Sequence, residues 1–210
     1  MKVIATNISK GTIITWHGKE EKTGIFKTPS AEPIFLGKTD VGNDTVVDRK
    51  HHGGTDKACY LFSVEEYAYW KQLYPTLDWD WGMFGENLTV EGLEESQLRI
   101  GDIYRIGSAL VQVSQPREPC YKLGIRFKTQ NIIKQFIDRS HPGTYVRVLE
   151  EGLVSKGDSM VLVKQSENSL TTQQFYDLLF AKVKSRELLQ LAINNPALPL
   201  KKRESLEKHL

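Results

Sequence analysis

Apolar and polar positions alternate with a period of two over much of residues 1–165, a pattern that predicts short β-strands joined by turns. Residues 3–8 and 13–16 are rich in β-branched side chains, with Lys10-Gly11 between them, and a third run over 23–29 ends at Pro29. Pro33-Ile-Phe-Leu-Gly37 reads as a fourth strand and Asp40-Val-Gly-Asn-Asp44 as a loop. Residues 58–62 are apolar enough for a strand covered on both faces. Ser63-Val-Glu-Glu66 then fits a capping box, opening a helix whose apolar face carries Val64, Tyr67, Ala68 and Leu73 and which Pro75 closes. Residues 82–89 read as a strand entry or a pocket rim, where Asn87 and Thr89 offer neutral hydrogen bonds. The clearest hairpin spans 97–114, with Gly107-Ser108 as its two-residue turn.

Beyond the hairpin, Ile132, Ile133, Phe136 and Ile137 form a stripe at helical spacing within 129–139. Strands follow at 144–149 and 157–163. Two hairpins opening on Gly-Asp, at 101–102 and 157–158, fit a barrel of short antiparallel strands. After Lys164 the period changes. Residues 165–169 are a polar linker, and two helical stripes follow: Phe175, Leu178, Leu179 and Val183, then Leu188, Leu189, Ala192 and Ile193. Asn194-Asn-Pro196 precedes a last short helix near 201–206. The predicted fold is mainly β and barrel-like, with a few helices, over a domain of residues 1–165; a small three-helix appendage occupies 166–210. Three helices of this size bury little core alone, so they are expected to pack on the barrel or on a partner.

Composition narrows the function. The 210 residues carry 40% hydrophobic and 26% charged side chains, ordinary for a globular protein. A net charge of +2 argues against a broad nucleic-acid-binding face, and against reading the helical pairs as a DNA-binding motif. The tail, 166–210, accounts for that whole excess with 7 Lys/Arg against 5 Asp/Glu, so any basic site in the larger part is local. No run of 18 apolar residues offers a membrane span. Two cysteines do not make a disulfide framework, and a reducing, cytoplasmic location is the expectation.

Candidate chemistry concentrates in two stretches. In Ser114-Gln-Pro-Arg-Glu-Pro-Cys-Tyr-Lys-Leu-Gly-Ile-Arg126, Pro116 and Pro119 stiffen the chain leaving a strand and present Cys120 at a defined place. Arg117, Lys122, Arg126 and Lys128 stand around that thiol against one acid, Glu118; such surroundings favour the thiolate, which attacks electrophiles and binds soft metals. A small buried hydrophobe is the plainer reading of Cys120, and it is the one taken for Cys59. In Asp48-Arg-Lys-His-His-Gly-Gly-Thr-Asp-Lys57, cations surround a Gly53-Gly54 turn whose exposed N–H groups suit an anion. A solvated basic turn is the alternative.

These stretches, taken in order, resemble the MOSC family, named for the C-terminal domain of molybdenum cofactor sulfurases, in its stand-alone YiiM-like branch. The resemblance runs through Gly24-Ile-Phe-Lys27, His51-His-Gly-Gly-Thr-Asp-Lys57, Phe84-Gly-Glu-Asn-Leu-Thr89, Ile100-Gly-Asp102, Ser114 to Leu123 and Tyr145-Val-Arg-Val-Leu149. It implies a barrel-like β fold and binding of the molybdenum cofactor (molybdopterin), with Cys120 as the molybdenum ligand. Lys27, His51, Gly53, Gly54, Lys57 and Arg117 then become candidates for the pterin phosphate patch, and Asn87 and Lys122 complete the cofactor-binding set. For this branch the implied activity is reduction of N-hydroxylated compounds such as hydroxylaminopurine base analogues, a detoxifying oxidoreductase. His52 or Glu86 would supply a proton beside Cys120.

With neither a Rossmann fingerprint nor a flavin motif in the chain, electrons are expected from a separate reductase, a flavoprotein by class. A homodimer is compatible with this reading; a membrane, or nucleic acid as main partner, is not expected. Three readings compete. The chain is a non-catalytic carrier of the cofactor or of sulfur on Cys120, an interaction module with an inert cysteine, or a zinc hydrolase built on His51, His52 and Cys120.

Overall fold

The structure, a computed structural model, describes residues 1–47 and 53–210. Within them the chain runs β1 (Lys2–Ile8), β2 (Thr12–Trp16), β3 (Lys19–Thr23), β4 (Thr28–Pro29), β5 (Ile34–Leu36), a 3-10 turn (Thr55–Lys57), β6 (Cys59–Ser63), α1 (Glu66–Leu73) and β7 (Leu88–Glu91). It continues through β8 (Ile103–Ile106), β9 (Ala109–Pro116), α2 (Tyr121–Arg126), α3 (Asn131–Arg139), β10 (Thr144–Glu150), β11 (Gly152–Val154) and β12 (Met160–Lys164). Three helices end it: α4 (Thr172–Phe180), α5 (Arg186–Ile193) and α6 (Leu200–Glu207).

The protein is mainly β, as the alternating pattern predicts. Eight strands form a mixed sheet in the order β12-β8-β9-β10-β6-β7-β1-β4. Its ladders are antiparallel apart from β6 and β7, which pair in parallel with Leu61 opposite Leu88, because α1 carries the chain back between them. The flanks meet where the chain begins. Lys2 and Ser159 form an isolated bridge, Val3 N donates to Asp158 O (2.9 Å) and Met160 N donates to Met1 O (2.9 Å). Among the described residues the ladder goes no further there, so the sheet is not closed into the predicted barrel.

Strand β6 shows how alternation organises the interior. Cys59 and Leu61 point into an aliphatic cluster that includes Val90, Val111, Val113, Val146 and Val148. Tyr60 and Phe62 point the other way, into an aromatic cluster with Tyr67, Trp70, Phe84, Phe127, Phe136 and Tyr145. Each face buries its own material, which is why the strand reads as a continuous apolar run.

The helical tail belongs to the aliphatic cluster. Leu170, Phe175, Leu178, Leu189, Ala192, Leu198 and Leu206 pack within it beside strand residues. Backbone bonds stitch the tail to the segment before β8: Ile100 N donates to Leu170 O (2.9 Å) and Thr172 N to Leu98 O (2.8 Å). The tail thus packs on the sheet.

Several local expectations change. The hairpin β2–β3 turns at His17 (φ +49°) and Gly18 (φ +75°), and β3 lies earlier than the predicted run over 23–29. Its Lys-Glu-Glu-Lys-Thr sequence faces mostly solvent and carries no apolar alternation to betray it. The capping box at Ser63 does not form. Ser63 is the last residue of β6, its hydroxyl bonds Glu65 Oε2 (2.6 Å), and α1 starts at Glu66 without a side-chain cap. A reciprocal capping box forms instead at Thr171 and Gln174, opening α4. On α1 the buried apolar residues are Tyr67 and Trp70, while Leu73 is exposed.

Candidate functional site

The Cys120 segment follows from the two prolines around it. Pro116 is the last residue of β9, and the chain then leaves the ladder. Cys120, extended at φ −126° and ψ 167°, stands immediately before α2 and its carbonyl accepts from Leu123 N (2.9 Å). The thiol is free and half-buried. It lines a cleft together with Arg117, Lys122, Lys27, Lys57 and Asn87, so six of the sequence-predicted residues come from four separate segments to one place.

Arg117 is the most telling of them. It is 4% exposed, with its guanidinium 5.3 Å from the Tyr60 ring and 5.5 Å from the Phe136 ring. Its Nη1 is buried and has no hydrogen-bond partner among the described residues. Burial alone would lower its pKa, but the nearby ionisable Tyr60, Tyr145, Cys120 and Tyr176 carry it upward, so the charge persists. A buried cation with an unanswered donor on a cleft wall suits an anionic ligand. Tyr145 lies on the same wall. Burial pushes its phenol up to about 12 against the opposing pull of Arg117, so it stays protonated at neutral pH. Lys57 stands over the Tyr145 ring at 5.5 Å, and Lys122 lies 4.0 Å from Glu21 and 5.7 Å from the Tyr121 ring.

Other members are already committed. Lys27, 5% exposed, is ion-paired with Asp44, a residue the sequence reading left in a loop. Asp44 also accepts from Ser9 N (2.8 Å) and Asn87 Nδ2 (2.9 Å), and it lines the cleft itself. The Asn87 amide is engaged too: Nδ2 also donates to Asn7 O (3.3 Å), and Oδ1 accepts from Tyr60 N (3.3 Å). Asn87 therefore joins β1, β6 and the Asp44 loop more than it offers itself to a ligand.

Glu86 lies apart from the cleft-lining residues. It is fully buried beneath the cleft and is not one of its lining residues. Its carboxylate accepts from Tyr67 Oη, Gly82 N (2.9 Å), Phe84 N (3.1 Å) and Thr89 Oγ1 (2.9 Å). Burial raises its pKa, and those donors oppose the rise. Its place is that of an anchor for the turn that brings Phe84 and Gly85 to the cleft.

Gly53 and Gly54 do not line the cleft. Gly54 adopts φ +92° immediately before the 3-10 turn, with open space where a Cβ would stand, so its backbone is accessible while its conformation favours glycine. His51 and His52 lie outside the described residues. Cys59 is buried in the aliphatic cluster, and burial pushes its thiol well up, the inert state expected of it.

Tyr60, Tyr145 and Asp44 escaped the sequence reading. The two-residue period of a strand offers a signal for the two tyrosines, since it sets them on the face opposite the aliphatic cluster. Asp44 left none, because an acid in a polar loop has no periodicity.

Comparison with known proteins places this constellation. The MOSC domain profile matches residues 48–161, which include the basic turn and the Cys120 segment. The chain belongs to the MOSC domain family. Among its relatives, the protein YflK of Bacillus subtilis (strain 168) is 34% identical over 206 residues, covering 98% of this chain and 93% of that protein. A protein of Gibberella moniliformis (strain M3125 / FGSC 7600) named "Reductase" is 34% identical over 168 residues, or 79% of this chain; the match spans 29% of that longer protein. The crystal structure of YiiM from Geobacillus stearothermophilus superposes with a TM-score of 0.82 at 32% identity, covering 100% of this chain and 98% of that one. No helix among the described residues is long and apolar enough to cross a membrane.

Proposed function

We propose that this MOSC protein is a molybdenum-cofactor-dependent reductase of N-hydroxylated compounds, of which hydroxylaminopurine-type base analogues are the candidate substrates. The observation that carries the proposal is the pairing of a free, half-buried Cys120 with the unpartnered, buried Nη1 of Arg117 in one cleft. A thiolate is a soft ligand suited to molybdenum, and a dianionic pterin phosphate answers a buried guanidinium. The residues present thus fit the group. Family membership and the relative named a reductase support the same direction.

In this reading Cys120 holds the metal, and Arg117, Lys57 and Lys122 hold the anionic part of the cofactor. When bound, the cofactor supplies the redox chemistry; overall, R–NHOH, two electrons and two protons give R–NH2 and water. The protein's residues orient and protonate. The Tyr145 phenol, kept protonated by burial, holds a proton at its Oη on the cleft wall. Asp44 fixes the Lys27 ammonium in the cleft lining. Phe84 and Ile25 exclude water from part of the lining. Electrons come from a separate reductase, proposed to be a flavoprotein.

The test is reduction of a purine hydroxylamine by purified protein, produced in a host that makes the cofactor, with a flavoprotein donor added. Amine formation that requires both the loaded protein and the donor supports the reading. Stoichiometric cofactor with no turnover across several N-hydroxylated substrates and donors favours the carrier function.

A further inference from the structure

The tail makes polar contacts that its apolar packing on the sheet does not require, and these reach two segments that line the cleft. Residues 117–119 connect the end of β9 to Cys120. Glu118, between two cleft-lining residues of that connector, is ion-paired with Lys202 of α6. The second segment is the 3-10 turn Thr55–Lys57, which presents Lys57 over the Tyr145 ring. Its Asp56 is held by Arg147 on β10, through Nε (3.0 Å) and Nη2. The same guanidinium donates through Nη1 to Gln112 Oε1 (2.7 Å) on β9, and through Nη2 to Ala197 O (3.2 Å) in the tail. One side chain therefore joins turn, sheet and tail. Ser114 Oγ completes the attachment by donating to the Asp56 carbonyl (2.6 Å).

We infer that the helical tail is a clamp that sets the positions of two cleft-lining segments, with Lys202 acting through Glu118 on Cys120, and with the tail's Ala197 carbonyl holding Arg147, which acts through Asp56 on Lys57. Lys202 and Arg147 are positioning residues. The part of this inference that concerns cofactor retention rests on the proposed function; the part that concerns the placement of Cys120 does not. Partly exposed ion pairs add little to global stability, so their expected effect is on the segments they touch. The apolar anchor of the tail is separate: Phe175, Leu189 and Leu206 hold it to the sheet whether or not the polar contacts form.

The deciding experiment follows iodoacetamide alkylation of the full-length, cofactor-free protein, resolving Cys120 and Cys59 by peptide mass spectrometry. Buried Cys59 reports general loosening. Lys202→Ala and Glu118→Gln are each expected to raise the Cys120 rate severalfold while Cys59 stays protected. The charge-exchanged pair, Lys202→Glu with Glu118→Lys, is expected to return the rate toward that of the parent protein. Unchanged Cys120 rates in both single variants would overturn the clamp. So would alkylation of Cys59 in step with Cys120, or a charge-exchanged pair no slower than the single variants. In parallel, molybdenum retained through gel filtration is expected to fall in Arg147→Met and Lys202→Ala relative to the parent. A parent that never takes up molybdenum contradicts the proposed function, and the alkylation rates still decide the clamp.

Discussion

The aliphatic and aromatic clusters meet along β6 and differ in what they bury beside their carbon. On the aliphatic face, Cys59 and Leu61 lie among valines and leucines, and the nearby buried Asp102 is answered by Arg99 N (2.9 Å) and Ser166 N (2.8 Å). On the aromatic face, Tyr60 and Phe136 lie beside Arg117, whose Nη1 lacks a partner among the described residues. Aliphatic side chains pack a sheet and dock the tail. Aromatic rings do that and also give a buried cation a polarisable surface to rest on. Phe62 and Phe84 stack at 4.1 Å, and Phe84 reaches the cleft, so rigid rings support the site from below. The same strand therefore separates a structural cysteine neighbourhood from a chemical one.

That contrast breaks most visibly under truncation. Leu61→Ala and Phe84→Ala each empty a fully buried site and are expected to cost about 2–5 and about 3–5 kcal/mol in urea unfolding. Their further effects separate the clusters. Among molecules that remain folded, Leu61→Ala is expected to leave molybdenum content unchanged, whereas Phe84→Ala lowers it. Equal loss in both would mean that the aromatic cluster has no special tie to the cleft.

Arg117→Met sharpens the comparison by opposing stability to function. Replacing a buried, incompletely bonded cation with an apolar side chain of similar length is expected to leave stability unchanged or raise it by about 1 kcal/mol. Losing a charged donor to the cofactor is expected to weaken its retention at least about tenfold. A variant that is destabilised yet still holds the cofactor would return Arg117 to a purely structural role.

The smallest effect lies at the margin of the aromatic region. His141 bonds Glu95 through Nδ1 (3.0 Å) and faces Glu66 at 3.9 Å, with Arg139 as the opposing cation. The hydrogen bond to Glu95, ahead of the burial that opposes it, raises the His141 pKa above its ordinary 6.5. A raised folded-state pKa contributes stability that is fully present below the unfolded value and is lost as pH rises through the folded one. Unfolding free energy is therefore expected to decline on the alkaline side of 6.5, and His141→Asn is expected to flatten that slope. An unchanged slope would show that the pair titrates alike in both states.

Much of the site was legible in the sequence because its chemistry is local. Prolines bracket Cys120, cations cluster near it, and each signal survives without knowledge of the fold. Lys27, Lys57, Asn87, Arg117 and Lys122 line the same cleft. What was hidden depends on contacts between distant segments. Nothing near Lys27 in sequence reveals that Asp44 neutralises it, and nothing in Phe84-Gly-Glu-Asn-Leu-Thr89 tells which polar side chain faces inward. Glu86 turns in to meet four donors while Asn87 reaches the cleft.

The fold divides along similar lines. Strands such as β9 and β10 announce themselves by alternation, and β6, buried on both faces, by its continuous apolar run. The polar strand β3 does not, and the Ser63 capping signal is overridden because parallel pairing with Val90 keeps that residue in a strand. Barrel closure was expected from the spacing of short strands, but closure depends on register at the flanks, where the chain supplies an isolated bridge instead of a ladder.

The central claim is that Cys120 is a molybdenum ligand and not a packing residue. Its most direct test is the molybdenum and pterin content of the protein and of its Cys120→Ser variant, both purified from a host that makes the cofactor. Near-stoichiometric molybdenum is expected in the parent and its loss in the variant, with unfolding curves that coincide. Equal molybdenum in both proteins, or none in either despite a working cofactor supply, would contradict it.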